Sequence, residues 1–195
     1  MKIKDIVEET ALLLQIEDVL ALPEFASSTY ANVNPKIAVG PLTERTLNLL
    51  VRCVNYAMRL IATSYLPQKT SQAISTENGE IKFELLNFDC LEVTKIESAV
   101  GEVAFKTYPT FVDIFKSGDY EVFYNFVPSV KQLDDCVEDF SSQIKKEIVA
   151  YLAAAEYCSI SSLDSEANMW EAKFKDAMRR ILKTKSKTVK ERRWW

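Results

Sequence analysis

Ser117-Gly118-Asp119-Tyr120-Glu121-Val122-Phe123-Tyr124-Asn125-Phe126-Val127-Pro128 is the stretch that decides the fold. A turn-forming Ser-Gly-Asp leads into strict alternation, with Tyr120, Val122, Tyr124 and Phe126 on one face and Glu121, Phe123, Asn125 and Val127 on the other. A period of two in aromatic and β-branched residues marks a strand, and Pro128 closes it. The alternation continues upstream, where Ile81, Phe83 and Leu85 alternate with Glu80, Lys82 and Glu84. Glu77-Asn78-Gly79-Glu80 holds the Asn-Gly pair that a two-residue hairpin turn prefers. Leu91 with Val93, Val103 with Phe105 and Val112 with Ile114 extend the pattern in shorter pieces. Residues 67–128 therefore read as a small antiparallel β lobe. Because Phe123 and Val127 make the second face of its last strand partly apolar, that face is expected to need a cover from elsewhere, which makes these two residues candidate assembly contacts.

On both sides of the lobe the period changes to that of helices. Ile3, Ile6, Val7, Ala11 and Leu14 form a stripe with Asp5, Glu8 and Glu9 off it, predicting a first amphipathic helix that ends before Pro23. Residues 23–41 carry no period and read as a long loop, either of the kind compact domains keep for binding or for ordering on a partner, or a mobile surface loop. Thr43 is the expected N-cap of a second helix striped by Leu47, Leu50, Val51, Val54, Met58, Ile61, Ala62 and Tyr65, which stops at Pro67. After Pro128, Ile144, Ile148, Tyr151, Leu152, Ala155 and Cys158 share one face of a third helix. Ala150, Ala153 and Ala154 fill its other face, so close approach from two sides is expected. Ala167, Trp170, Phe174, Ala177, Met178 and Ile181 stripe the last helix. The predicted class is α+β: a helical bundle of about four helices (1–66 and 129–184), an inserted β lobe (67–128), and an extended basic C-terminal arm (185–195).

Composition narrows the function. At 195 residues the chain can bury ~70% of its unfolded surface without staples. There is no histidine, which removes the usual Ser-His and Cys-His nucleophile pairs and the commonest zinc ligand. The four glycines, at 40, 79, 101 and 118, are scattered, which excludes a Gly-rich phosphate loop and the dinucleotide fingerprint. Cys53, Cys90, Cys136 and Cys158 form no C-x-x-C pair and are expected to be reduced thiols. Asp134, Asp135, Glu138 and Asp139 are the one dense acidic group, but their spacing misses the calcium loop, and a place before a helix suits acids on dipole grounds. No catalytic residue, cofactor or metal is therefore expected. The longest apolar run, Ile148 to Ala155, is eight residues and too short to span a bilayer, so a soluble intracellular protein with no membrane partner is expected.

Charge is distributed unevenly. Residues 179–195 carry Arg179, Arg180, Lys183, Lys185, Lys187, Lys190, Arg192 and Arg193 against Glu191 alone, a net +7; the whole chain is at −4, which leaves −11 on the preceding 178 residues. The chain ends Arg192-Arg193-Trp194-Trp195. Solvated tails have no use for two exposed indoles, whereas Trp and Arg are the residues most enriched in interface anchors. Lys187, Lys190, Arg192, Arg193, Trp194 and Trp195 are thus the candidate partner-binding residues. A nucleic-acid-binding accessory protein that uses the arm as an electrostatic clamp is the alternative, although a body at −11 opposes it.

Together, the N-terminal helices, the β insert, the turn Ser117-Gly118-Asp119 leading into Tyr120-Glu121-Val122-Phe123-Tyr124, the segments Ala150-Tyr151-Leu152-Ala153-Ala154-Ala155-Glu156-Tyr157 and Trp170-Glu171-Ala172-Lys173-Phe174, and the basic tail ending Arg192-Arg193-Trp194 form a pattern. In organisation over its full length, the chain resembles the head-to-tail adaptor (connector, tail tubular protein A-like) proteins of tailed bacteriophages. The resemblance implies a non-enzymatic structural virion protein of the neck, assembled in the bacterial host cytoplasm as a homo-oligomeric, twelve-fold ring. It further implies a portal protein above, reached by the C-terminal arm, a tail or next neck protein below, and DNA passing through the lumen without specific binding. An acidic body suits such a conduit independently, since repulsion keeps the genome from sticking.

Overall fold

The computed structural model describes residues 1–25, 40–137 and 144–185. The described chain is mixed α+β, with five helices and two small antiparallel sheets. It divides into two compact units, one of Met1–Ala57 with Lys131–Trp195 and one of Met58–Val130.

The first unit is helical. α1 (Ile3–Leu13) buries Ile3, Ile6, Val7 and Ala11, the expected stripe. Its first N–H groups, which have no partner inside a helix, are met by a passing irregular segment: Ile3 donates to the Asp135 carbonyl and Lys4 to that of Leu133, each at 3.0 Å. The helix does not run on toward Pro23. Gln15 turns left-handed (φ 57°) and Ile16 N–H reaches back to the Ala11 carbonyl at 2.9 Å, closing α1 before a short α2 (Glu17–Leu20). A 3-10 turn, Pro23–Phe25, follows and buries Phe25, so the expected loop of 23–41 begins with ordered structure; residues 26–39 lie outside the described ones.

α3 (Pro41–Ser64) starts three residues earlier than an N-cap at Thr43 would set. Pro41 takes the first helical position, where its missing N–H costs nothing, and Thr43 sits inside the first turn with its Oγ1 accepting from Gly40 N–H at 3.5 Å rather than serving as N-cap. Asn55, buried on α3, clamps the returning chain: its Nδ2 donates to the Lys131 carbonyl at 2.9 Å and its Oδ1 accepts Lys131 N–H at 2.7 Å. α4 (Lys146–Ile160) is buried along Val149, Ala150, Leu152, Ala153, Ala154, Ala155 and Cys158, and packs on both α1 and α5 (Asp164–Lys185). Two-sided burial of an alanine-rich helix is what the sequence predicts. The break between α4 and α5 repeats the α1 closure, with Ser162 left-handed (φ 59°) and Leu163 N–H on the Cys158 carbonyl at 2.8 Å. Trp170, stacked with Tyr151 at 5.9 Å, joins Ala154, Ala155 and Cys158 in the α4–α5 core.

The second unit holds the strands: β1 (Gln68–Thr76), β2 (Glu80–Lys82), β3 (Cys90–Ser98), β4 (Gly101–Glu102), β5 (Lys106–Thr107), β6 (Phe111–Asp113) and β7 (Gly118–Phe126). One sheet has the order β1-β7-β3-β4, the other β2-β6-β5. β7 lies inside the larger sheet, antiparallel to both β1 and β3. Its Tyr120, Val122, Tyr124 and Phe126 are buried in a core shared with Ile74, Ile81, Ile96, Val112 and Ile114.

Two expectations are corrected. Asn78-Gly79 does not close a hairpin, because β1 pairs with β7 while β2 pairs with β6; the turn carries the chain from one sheet to the other. Gly79 is required there: its φ is 79°, a Cβ would lie 2.8 Å from Lys116 N, and its carbonyl accepts Ile114 N–H at 2.8 Å. Leu91 and Val93 do not share a face, because β3 is bulged between Cys90 and Glu92 and again between Val93 and Lys95, which leaves Leu91 exposed and Val93 buried.

Candidate functional site

Of the residues singled out for assembly, Phe123 lies mid-strand on β7, opposite Ser71 of β1 and Lys95 of β3. It is half-buried, and the Lys95 ammonium stands 5.9 Å from its ring centroid. Lys95 also pairs with Glu97, and that carboxylate's hydrogen bond raises the lysine pKa. The second face, expected to be partly apolar, carries Phe123 as its one aromatic ring within β7. Around Phe123 the outward positions are Ser71 and Ala73 on β1, Glu121 on β7, and Lys95 and Glu97 on β3, so one aromatic ring sits among small and charged groups.

Val127 follows the end of β7, half-buried, and donates its N–H to the Asp89 carbonyl at 2.9 Å. Buried Asn125 separates it from Phe123, with Nδ2 3.4 Å from Glu92 Oε2. The two candidates do not form a continuous apolar stripe.

At the far end of the larger sheet, Glu97 is in register with Glu121 on one side and Glu102 on the other. With Asp119 and Tyr120, Glu97 and Glu121 line an open recess of about 520 Å³. Like charges directly across strands are unfavourable, so this end of the sheet repels anions and tolerates cations.

Lys187, Lys190, Arg192, Arg193, Trp194 and Trp195 lie outside the described residues. α5 extends to Lys185, one residue into the segment expected to be extended, and carries exposed Arg179, Arg180 and Lys183 on its last described turns. Of the acidic group, Asp134 is exposed and Asp135 Oδ2 accepts Gln132 N–H at 2.6 Å, a local turn contact; Glu138 and Asp139 are not among the described residues. Among the described residues no group of three or more His, Cys, Asp or Glu is placed to hold a metal ion, and no helix is long and apolar enough to cross a membrane. The four cysteines are free thiols. Burial, with the Glu156 carboxylate adding to it, pushes the Cys53 thiol up to about 12; burial also raises Cys90 and Cys158.

One feature escapes the sequence patterns. The 3-10 turn Phe83–Leu85 and the loop that follows it into β3 display Leu85, Phe88 and Leu91 at 57%, 40% and 43% exposure. The expected alternation of Ile81, Phe83 and Leu85 along one strand is corrected here: β2 ends at Lys82 with Ile81 buried, and the 3-10 turn at Phe83–Leu85 leaves Leu85 exposed.

The chain matches no protein-family model and no curated protein.

Proposed function

We infer that the protein is a neck adaptor of a tailed bacteriophage: a structural virion protein that forms a twelve-fold ring between portal and tail, conducts DNA, and docks to the portal through its C-terminal arm. The observation that carries this reading is the separation of charge. A body at −11 suits a passage for DNA, because like charge keeps the duplex off the wall, while the +7 segment that begins on α5 and ends in two tryptophans suits an anchor in an acidic, apolar socket. The α+β organisation, helices with strands inserted between them in sequence, is consistent with it. In this reading Phe123 and Val127 belong to the contact through which the β unit meets a neighbouring copy. The protein acts without turnover.

The experiment is a mass measurement by light scattering, with electron microscopy of the same sample, on the protein alone and mixed with the portal protein of its virus. A ring, or a ring formed on the portal, supports the adaptor. A protein that stays monomeric in both samples and binds DNA with steep salt dependence overturns it in favour of the nucleic-acid clamp.

A further inference from the structure

The segment from Glu84 to Glu92, which runs from the 3-10 turn through a short loop into the first residues of β3, is an apolar surface with an acidic border. Leu85, Phe88 and Leu91 are exposed, and Glu84, Asp89 and Glu92, also exposed, lie between and beside them. The loop is held in place from below. Gln72 of β1 bonds both Leu85 and Asn87, Phe88 stacks on buried Phe126 at 4.6 Å, and the Asp89 carbonyl takes Val127 N–H. Three large apolar side chains are thus presented to solvent on a fixed backbone, and fixing a surface beforehand lowers the entropy cost of binding to it. Phe83, Glu84, Leu86, Asn87, Phe88, Asp89 and Cys90 enclose a recess of about 370 Å³ within it.

A complement exists on the same chain's helical unit. Arg179, Leu182 and Lys183 stand at i, i+3 and i+4 on α5, so one face of the helix carries a leucine, 38% exposed, flanked by two exposed cations. In charge the acidic border of the loop is complementary to the basic border of the helix, and each surrounds an apolar centre.

We propose that the 84–92 loop of one copy receives the α5 face of a second copy, Arg179, Leu182 and Lys183, as the head-to-tail contact of the assembly. The deduction rests on the ring reading above and deepens it. Two different surfaces of one chain that fit each other make a heterologous contact, the kind from which a ring is built when the rotation between copies closes. Val127 adjoins this loop through Asp89, which places a sequence-derived assembly residue at the edge of the surface.

Charge reversal tests the contact without touching a buried residue. In Glu84→Lys/Asp89→Lys the loop becomes basic; in Arg179→Glu/Lys183→Glu the helix becomes acidic. Each variant alone has mismatched surfaces and sediments at single-chain mass, with a melting temperature like that of the wild type. An equimolar mixture of the two restores every contact in alternation, and assembly returns; the quadruple variant assembles by itself. Rising salt dissociates the wild type. If both variants assemble as the wild type does, or if mixing restores nothing, this contact is wrong while the ring stands. If the wild type is monomeric alone and with portal, the ring reading falls and this proposal with it.

Discussion

The side-chain carbonyl of Gln72 accepts the backbone N–H of Asn87 at 2.8 Å, while its amide donates to the Leu85 carbonyl at 3.0 Å. One side chain on β1 therefore supplies to the 83–88 segment the paired bonding that a neighbouring strand would supply. Tyr124 OH, from β7, reaches the same Gln72 oxygen at 3.4 Å. The segment is neither strand nor free loop.

Gln72→Ala removes both backbone bonds, each of which contributes about 1 kcal/mol net. The expected result is a loss of about 1–2 kcal/mol in urea denaturation, with faster hydrogen exchange at Asn87 N–H and little change in the helical unit. An unchanged exchange rate at Asn87 would show that the loop is held by Phe88 and Val127 alone.

Legibility in the sequence follows how local the cause is. The helix stripes and β7 were readable because a buried face writes its period into consecutive residues; Ile3, Ile6 and Val7, or Tyr120, Val122 and Tyr124, need no partner to be recognised. The strand partners were not readable. Asn78-Gly79 fits a hairpin locally, yet pairing is decided by which strand completes the core across 42 or more residues, as when Ile74 meets Tyr120. The bulges that turn Leu91 outward leave no composition signature. The same applies to the site: the charge division at the C-terminus could be counted, whereas the 84–92 surface depends on Gln72 fixing a loop fifteen residues away.

Thiol burial sets an alkaline limit on stability. In the unfolded chain Cys53 ionises near its ordinary 9.0, whereas in the folded protein it holds its proton to about 12. Above pH 9 the unfolded state therefore carries fewer protons than the folded one, and stability that is fully present below that value is lost as pH rises through the window. Raised Cys158 acts in the same direction. Denaturation midpoints should fall as pH rises from about 9 toward about 12, and fall less in Cys53→Val, where one titrating group is gone. Equal slopes in the two proteins would assign the alkaline loss to other groups. Exposed Cys136 should react with a thiol reagent in the native state, and Cys53 only after unfolding.

Phe123 offers a way to separate folding from assembly. Its ring is half-buried among Ser71, Lys95 and Glu121, and contributes packing and a cation–π contact at 5.9 Å rather than core volume. Phe123→Ser should lower the melting temperature by a few degrees and weaken assembly by a larger factor. A large melting loss with assembly affected only in proportion would place Phe123 in the sheet's own support and remove it from the contact.

The arm gives the most direct test of function. Residues 186–195 follow the last described residue of α5, and ten residues extended reach ~33 Å at about 3.3 Å each, enough to enter a neighbouring ring. The helical packing of α5 rests on Trp170, Phe174 and Met178, all buried and all well before the arm, so truncation after Lys185 should leave the thermal melt unchanged. Portal docking should be lost, because each hot-spot side chain removed costs ~2–4 kcal/mol and the loss is repeated around the ring through avidity. Trp194→Ala/Trp195→Ala should reproduce most of that loss while keeping every positive charge, which separates indole burial from general attraction to an acidic surface. A truncated protein that binds portal as before and loses only salt-sensitive DNA affinity would make the arm a nucleic-acid clamp.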